Sequence, residues 1–386
     1  MREDIRELFF GLIASAVGTG RLDEEKKALF SREMIPELVG LAGRNDIAAL
    51  LATALIDNGL VAADSRGAQG EVAKAVYRFE ILKRELQATT DALEAAGIPH
   101  IALKGAVIRE LYPKPYLRTS GDIDVLVKHS DFERAERILI AELGYAQVAR
   151  STHDVSLEAP SGGKVELHFD LVEEGRAAKA ADVLGRIWEN STVAEGYAYR
   201  CEMSDAAFYF YHIAHMAKHL EEGGCGLRPF IDLLLLDRLS GADISARREL
   251  LASGGLLSFA DRMSEASAAW FSSGKSTELT DRVLEYVLNG GTYGSVENRV
   301  SVKKRSGRSR IGYIFSRIFA PYDKLCRYYP ILKRHPWLTP VMQVRRWFMV
   351  FDPSVAKLVQ GELRANGSLS ENEAKLMEDF FRDIGL

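Results

Sequence analysis

The sequence predicts an α+β fold in which a small sheet lies between two helical regions. Residues 1 to about 96 carry apolar side chains at three- and four-residue steps, the spacing of helices that bury one face. Short β-branched runs are concentrated in the stretch that follows, and helical spacing returns from about residue 176. We therefore predict an N-terminal helical region (1–96), a central core (97–175) and a C-terminal helical region (176–386).

The composition is that of a globular protein from a reducing compartment. The 386 residues are 47% apolar and 27% charged, as in ordinary globular chains, and the net charge of −4 predicts no general attraction to nucleic acid or anionic membrane. No apolar run reaches the roughly 18 residues that span a bilayer. Acidic residues precede the apolar segment at 9–17, where a secretory signal is basic. Three scattered cysteines favour a reducing compartment, so we expect a cytoplasmic protein.

The N-terminal and central stretches divide further into elements. Helices are expected over 28–60 and 71–96, with a loop at 64–70 that is rich in glycine and polar residues. Strands are expected at 98–103, at 123–127, and in a hairpin that joins 155–157 to 164–170 through Ser161-Gly162-Gly163.

Two helices are predicted between these strands. A short helix over 106–111 ends before Pro113, because proline cannot continue a helix. Ser130 and Glu133 have the spacing of a capping box, so a second helix should begin there and run to about residue 143. Gly144 suits the C-terminal cap of that helix.

A pair of carboxylates begins the strand at 123–127. Asp122 and Asp124 are two residues apart, so the alternation of a strand places both on one face, with Ile123 and Val125 on the other. Two adjacent carboxylates repel each other unless a cation lies between them, and Mg²⁺ prefers such oxygen ligands. An isolated Asp-x-Asp is also typical of a solvated turn.

Three neighbouring features favour the metal interpretation. Leu103-Lys104-Gly105-Ala106 joins a strand end through glycine to a helix, a junction whose backbone N–H groups can hold phosphate. Arg118 and Ser120 precede the Asp pair and can offer a cation and a hydroxyl to a triphosphate. Each of these features is also common in loops without function.

The third feature is a strand with one polar face. Lys164, Glu166, His168 and Asp170 alternate with apolar residues over 164–170. Glu166 is then a third carboxylate that can bind a second metal ion or act as a base toward an acceptor hydroxyl. The same pattern is typical of an exposed edge strand.

The order of these motifs resembles the DNA polymerase β-like nucleotidyltransferase superfamily, and within it the uncharacterised bacterial nucleotidyltransferase family. The matching segments are Ile101-Ala102-Leu103-Lys104-Gly105, Arg118-Thr119-Ser120-Gly121-Asp122-Ile123-Asp124-Val125-Leu126-Val127, Gly144-Tyr145 and Val165-Glu166-Leu167-His168. A later helical segment with His212, His215, Lys218, His219, Arg228 and Asp232 is also similar to that family.

This resemblance implies a small mixed-sheet nucleotidyltransferase core and a set of functional residues. Asp122, Asp124 and Glu166 would be the catalytic carboxylates and would hold Mg²⁺, with two ions expected. The nucleotide-binding residues would be Lys104, Gly105, Arg118, Ser120, His168, His215, His219, Arg228 and Asp232. The reaction would transfer an NMP group from Mg–NTP, with ATP as the expected donor, to an unidentified acceptor and release pyrophosphate.

One position departs from the superfamily pattern. The phosphate turn usually carries Gly-Ser or Gly-Gly, but this chain has Gly105-Ala106, so one hydroxyl contact to phosphate is missing. Lys104 or Ser120 can replace that contact. Two other interpretations stay open: a non-catalytic nucleotide- or RNA-binding protein that keeps the fold, and a metal-dependent phosphohydrolase that would release orthophosphate.

Histidines of the C-terminal region form a stripe on one predicted helix. His212, His215 and His219 are spaced i, i+3, i+7 on a helix that begins near Ser204. Zinc binding, a cavity lining and a solvated face are all compatible with this spacing. We expect His215 and His219 to face the two aspartates, and Arg228 to pair with Asp232 or reach the triphosphate.

A basic, aromatic stretch covers 303–346. Its lysines and arginines alternate with tyrosine, phenylalanine and tryptophan, and it contains a single acid, Asp323. This mixture can bind nucleic acid by phosphate contact and stacking, or lie on an anionic membrane surface. It is equally typical of a packed helical subdomain with solvated cations.

Overall fold

The computed structural model describes residues 1–151, 153–172, 178–292, 294, 298, 322, 325–326, 329–348 and 371–386. The N-terminal helices are α1 (Glu3–Ala16), α2 (Glu24–Ala28), α3 (Ile35–Arg44), α4 (Ala48–Asp57) and α5 (Arg66–Ala95), with a 3₁₀ turn at Arg32–Met34. The central helices are α6 (Gly105–Ile108) and α7 (Phe132–Leu143), with 3₁₀ turns at Arg109–Leu111 and Pro115–Leu117. Later helices are α8 (Ala178–Gly185), α9 (Asp205–Glu221), α10 (Arg228–Asp237), α11 (Ile244–Ser253), α12 (Leu257–Phe271), α13 (Glu278–Gly290), α14 (Thr339–Phe348) and α15 (Glu371–Asp383), with 3₁₀ turns at Ile187–Asn190, Pro330–Lys333 and Pro336–Leu338.

One mixed sheet contains the seven strands of the described residues. They are β1 (His100–Ala102), β2 (Ile123–Val127), β3 (Ala146–Arg150), β4 (Asp154–Glu158), β5 (Lys164–His168), β6 (Ser191–Val193) and β7 (Arg200–Met203). Their spatial order is β3-β4-β5-β2-β1-β7-β6. The pairs β2–β5 and β1–β7 are parallel and the others are antiparallel, which confirms the predicted α+β class with a mixed sheet.

The two faces of the sheet meet different cores. Ile123, Val125 and Leu167 point to one face, where they form a hydrophobic cluster with residues of α5 and α7. Leu126 points to the other face and belongs to a larger cluster that joins the N-terminal helices to α9, α10 and α12. The first and last helical regions therefore share one core, and the polar side chains of β2 and β5 face toward it.

The N-terminal helical pattern is divided differently from the prediction. The segment 28–60 is interrupted at residues 45–47, between α3 and α4, and α5 begins at Arg66 inside the predicted loop. Gly67 and Gly70 thus lie within a helix, where each costs about 1 kcal/mol relative to alanine. Packing of the 30-residue α5 against α4 and α7 outweighs that cost.

Around the central core, one local prediction is wrong and several strands were missed. Helix α7 begins at Phe132, and the Ser130 hydroxyl donates to the Asp131 carboxylate (3.1 Å) instead of forming the predicted capping box. The end of α7 at Gly144 is as predicted, with a left-handed φ of 69°. Strand β3 is fully exposed and lacks an apolar alternation, and β6 and β7 join the sheet from beyond residue 175.

The C-terminal stretch is described in part. Residues 303–321 of the basic, aromatic stretch lie outside the described residues. From its second half, Leu325, Cys326, Tyr329 and Leu332 form a small buried cluster, while Trp337 is exposed. In the portion of the chain that the structure covers, no helix is both long and apolar enough to cross a membrane.

Candidate functional site

A cavity of about 390 Å³ lies between the polar face of the sheet and helix α9. All of the residues predicted for catalysis, metal binding and nucleotide binding line it. They are Lys104, Gly105, Arg118, Ser120, Asp122, Asp124, Glu166, His168, His215, His219, Arg228 and Asp232. His212, Asp46, His153 and Asp154 also contribute to the wall. Residues separated by more than a hundred positions in the sequence thus meet in one concave site.

Strand register places two of the carboxylates side by side. Asp124 on β2 and Glu166 on β5 are directly paired in the parallel ladder. Their neighbours Ile123, Val125, Val165 and Leu167 are buried on the opposite face, so the alternation of both strands directs the two acids into the cavity. Asp122 immediately precedes β2 and completes the group.

Asp124 is held by two cationic partners. Lys104 Nζ donates to its Oδ1 (3.2 Å), and His168 Nε2 lies 2.9 Å from the same oxygen. Burial acts to raise the pKa of Asp124, but Lys104 and His168 together outweigh it and hold that pKa below its ordinary value. Burial likewise opposes protonation of His168, yet its bonds to Asp124 and Glu166 raise its pKa to about 9. Asp124 is therefore charged and held in place from two sides.

Lys104 itself adopts a strained backbone. Its φ of 39° and ψ of −113° lie outside the regions favoured by residues with a Cβ. Such a conformation costs about 1–3 kcal/mol and is kept only where the surrounding packing imposes it. This conformation turns the chain sharply between β1 and α6 and places the Lys104 ammonium group beside Asp124. Such strain is found most often at functional sites.

Asp122 shows the electrostatic consequence of grouping three acids. Burial, then the charges of Asp124 and Glu166, raise its pKa to about 6. Asp124, Glu166 and His168 each offer a ligand atom within 4.8 Å of the others. These donors are mainly carboxylate oxygens, and a cation would relieve the repulsion between them. The set therefore fits a divalent metal ion.

Arg118 and Asp232 form a buried ion pair in the cavity wall. Arg118 Nε and Nη2 donate to the two oxygens of Asp232 (2.9 and 2.6 Å), and the Tyr112 hydroxyl donates to the same carboxylate (2.7 Å). Arg118 was expected as a triphosphate contact, but its guanidinium is engaged with Asp232 because both groups are buried. A Cβ on Gly105 would lie 2.3 Å from Arg118 Nη1, so the ion pair requires glycine at that position.

Arg228 has a different partner from the one expected. Its Nη1 donates to the Asp46 carboxylate and to the Thr119 carbonyl (2.8 Å), whereas Asp232 forms its ion pair with Arg118. Asp46 was not predicted from the sequence. It lies in the break between α3 and α4 with φ of 54°, and the only sequence signal was Asn45-Asp46 interrupting an apolar helical pattern.

The histidine stripe of α9 faces the cavity rather than bulk solvent. His219 Nε2 and His215 Nε2 are 3.0 Å apart, and His212 Nε2 donates to the Pro229 carbonyl (3.1 Å). Burial, followed by the charge of Lys104, lowers the pKa of His215 well below its usual range, so this ring is neutral. Within the described residues, the clusters of three or more metal-binding side chains do not include these histidines, so the zinc alternative gains no support.

Comparison with known proteins agrees with this geometry. A family model described as uncharacterised nucleotidyltransferase matches residues 31–272, well over half of the chain and all of the cavity-lining residues except Thr292. The chain belongs to this family. Nucleotidyl transfer is accordingly its general activity, and the resemblance inferred from the motifs is confirmed. Neither the curated proteins nor the solved structures contain a match.

This nucleotidyltransferase has two further polar residues in the site that the motifs did not indicate. They are His153 and Asp154: Asp154 is the first residue of β4 and the register partner of His168, and His153 directly precedes it. The predicted hairpin already brought 155–157 opposite 164–170, so extending its register by one residue would have placed Asp154 beside His168. His153 lies just outside β4, where alternation gives no guide.

Proposed function

We propose that this nucleotidyltransferase transfers an NMP group from Mg–NTP to the nucleophile of an acceptor and releases pyrophosphate. The observation that carries the proposal is the convergence of Asp122, Asp124 and Glu166 on one cavity whose remaining wall supplies cations and imidazoles. A protein that merely binds nucleotide has no need to bring three carboxylates together against their own repulsion. The donor in the proposal is ATP, and the acceptor is a protein, RNA or small molecule.

The three carboxylates would hold the metal. When bound, two Mg²⁺ ions would supply charge stabilisation at the entering and leaving oxygens. Lys104 and His168 keep Asp124 ionised and in place, since both contact its Oδ1. Glu166, partly exposed and paired in register with Asp124, is positioned to accept the proton of an acceptor hydroxyl.

The opposite wall would hold the triphosphate. Arg228 reaches the cavity from the start of α10, where a phosphate oxygen can take the place of the Asp46 carboxylate in its ion pair. Ser120 and Gly105 lie beside it, and neutral His215 with His219 can donate hydrogen bonds to phosphate or acceptor. Arg118 and Asp232, which are paired with each other in this wall, fix the turn that carries Ser120.

A cytoplasmic location belongs to the same proposal. Its support is chemical: Cys201, Cys225 and Cys326 are all free thiols, and a reducing compartment preserves them.

The test is transfer of label from α-³²P-labelled NTPs. The purified protein, incubated with Mg²⁺, each NTP in turn and extract of the source cells, should label a specific acceptor and release pyrophosphate. Asp124→Asn should abolish labelling, whereas Asp261→Asn, which changes an exposed acid of α12 far from the cavity lining, should label normally. Orthophosphate release would identify a phosphohydrolase instead, and NTP binding without labelling or pyrophosphate would identify a non-catalytic binder.

A further inference from the structure

A second cluster of metal-binding side chains adjoins the carboxylate centre. His153, Asp154 and His168 each offer one ligand atom, and these three atoms lie within 4.8 Å of one another. The His153 Nε2 and an oxygen of Asp154 are 2.9 Å apart, and the rings of His153 and His168 stack with centroids 6.2 Å apart. The cluster lies at the β4–β5 pair, whereas Asp124 lies on β2 at the other side of β5.

The spacing of these atoms suits a coordination sphere. With metal–ligand bonds of about 2.1 Å, neighbouring ligand atoms of an octahedral ion are about 3.0 Å apart, and opposite ones about 4.2 Å. The 2.9 Å between His153 Nε2 and the Asp154 carboxylate matches one edge of such an ion, and small movements of side chains that are 8–23% exposed would bring the remaining ligand atoms, which lie within 4.8 Å, to coordinating distance. Asp154 and His168 are cross-strand partners, so the sheet itself sets their separation.

Hydrogen bonds outside the cluster orient its two imidazoles. The Ser151 hydroxyl lies 3.3 Å from His153 Nδ1, which leaves Nε2 directed to Asp154. His168 Nε2 is hydrogen-bonded to the Asp124 carboxylate at 2.9 Å, and a metal ion would displace a proton from the other nitrogen of this ring. Metal-binding histidines typically use the second ring nitrogen in this way, because the outer partner fixes the ring and its tautomer.

We propose that His153, Asp154 and His168 bind a divalent transition-metal ion of the class of Zn²⁺, Mn²⁺ or Co²⁺. Two imidazoles and one carboxylate favour such borderline ions over Mg²⁺, which prefers oxygen ligands alone. The site adjoins the Mg²⁺ centre proposed for Asp122, Asp124 and Glu166 and is joined to it by the hydrogen bond between His168 and Asp124, but none of those three carboxylates is among its ligands. Its existence does not depend on nucleotidyl transfer, so the binding test below and the labelling test above fail independently.

Titration of the full chain with Co²⁺ tests the proposal, because imidazole ligands shift and strengthen the visible bands of cobalt relative to those of the aqua ion. The wild type, freed of metal by a chelator, should bind Co²⁺ with these bands, and Zn²⁺ should displace it. His153→Ala and Asp154→Asn should each weaken Co²⁺ binding more than 10-fold and remove the bands. Ser151→Ala should weaken it by about 10-fold, the scale of a lost outer-shell partner.

Asp261→Asn is the matched control, since it changes an exposed acid of α12 outside the cavity lining and leaves all three ligands intact. It should keep the cobalt bands and affinity. Circular dichroism without metal checks that each variant is folded. If His153→Ala is unfolded, cobalt binding by the volume-conserving Asp154→Asn decides the test. Bands that persist in both ligand variants, bands that are lost equally in Asp261→Asn, or a wild type that gives no bands would each overturn the proposal.

Discussion

The guanidinium of Arg118 and the carboxylate of Asp232 join the sheet to the C-terminal helices through a pair of parallel hydrogen bonds. Arg118 lies in the turn before β2, and Asp232 lies on α10, more than a hundred residues later. Because Arg118 also fills the space above Gly105, this one contact connects the turn after β1, the turn before β2 and the helix that carries Arg228. The site is assembled across both regions.

Removing the acid of this pair should be strongly destabilising. Asp232→Ala leaves the buried Arg118 without its partner, and breaking such a pair costs about 3–5 kcal/mol of unfolding free energy. The matched control is Asp261→Ala, which breaks the Arg248–Asp261 pair, in which both side chains are about half exposed. Urea denaturation should show a large loss of unfolding free energy for Asp232→Ala and almost none for Asp261→Ala. Equal midpoints would contradict the structural role of the pair.

The contribution of Asp232 to the free energy of unfolding should decrease as the pH falls. Burial acts to raise the pKa of Asp232, but Arg118 outweighs it and the folded-state pKa lies below the ordinary value. The stabilisation is therefore complete above about pH 4, the unfolded-state pKa, and is lost as pH falls through the lower folded-state pKa. The difference in unfolding free energy between wild type and Asp232→Asn should be constant from neutral pH to about pH 5 and shrink below about pH 4. A difference that grows on acidification would refute this assignment.

Two glycines of the cavity should respond differently to the same added methyl group. Gly105→Ala places a Cβ 2.3 Å from Arg118 Nη1, whereas Gly121→Ala meets nothing within 4 Å. Overpacking of this kind costs about 1–3 kcal/mol, and displacement of Arg118 should also weaken NTP binding. Gly121→Ala should stay within about 0.5 kcal/mol of wild type. Denaturation midpoints and calorimetric NTP titration of both variants decide the matter.

The sequence predicted those parts of the fold that follow from local pattern. Ile123–Val127 alternates between apolar and polar faces, so β2 and the direction of Asp124 could be predicted from a few residues. The end of helix α5 was predicted to within one residue, but its start was not, since its first two turns contain glycines that tertiary packing tolerates. Strand β3 is exposed and carries no apolar period, so its pairing is fixed by its neighbour β4 rather than by its own residues.

Partners of the site residues were less predictable than their location. Motif order brought the acids, Lys104 and the histidines of α9 to one cavity. It favoured Arg228 as a partner of Asp232, whereas the structure pairs Asp232 with Arg118 and Arg228 with Asp46. That choice depends on how α10 packs against the turn before β2, a long-range contact that no local pattern encodes.

Asp122→Asn should separate stability from binding. Burial and two neighbouring acids raise the pKa of Asp122 to about 6, so its ionised form destabilises the fold increasingly as pH rises from about 4 to about 6. In the absence of metal, the variant should melt at the same temperature as wild type or higher at neutral pH. Calorimetry should at the same time show loss of Mg²⁺-dependent ATP and GTP binding. Unchanged affinity in the variant would remove Asp122 from the metal site.

The last prediction concerns the wall opposite the carboxylates. His219 lies on α9 with its Nε2 3.0 Å from His215 Nε2, and both rings line the cavity. A third of the His219 side chain is exposed, so truncation should change stability little. If the ring donates to phosphate or acceptor, His219→Ala should lower transfer by about 10²-fold, the scale of a lost acid–base or positioning group.

The control is His129→Ala, which removes an exposed imidazole that packs edge-on against Phe169 and lies outside the cavity lining. That variant should transfer at the wild-type rate. Measuring the rate at saturating and at limiting NTP separates a contact to bound triphosphate, which raises KM, from one made in the transition state, which lowers kcat. Wild-type kinetics in His219→Ala would exclude the α9 wall from the reaction and confine the chemistry to the sheet, where Asp124 and Glu166 stand paired.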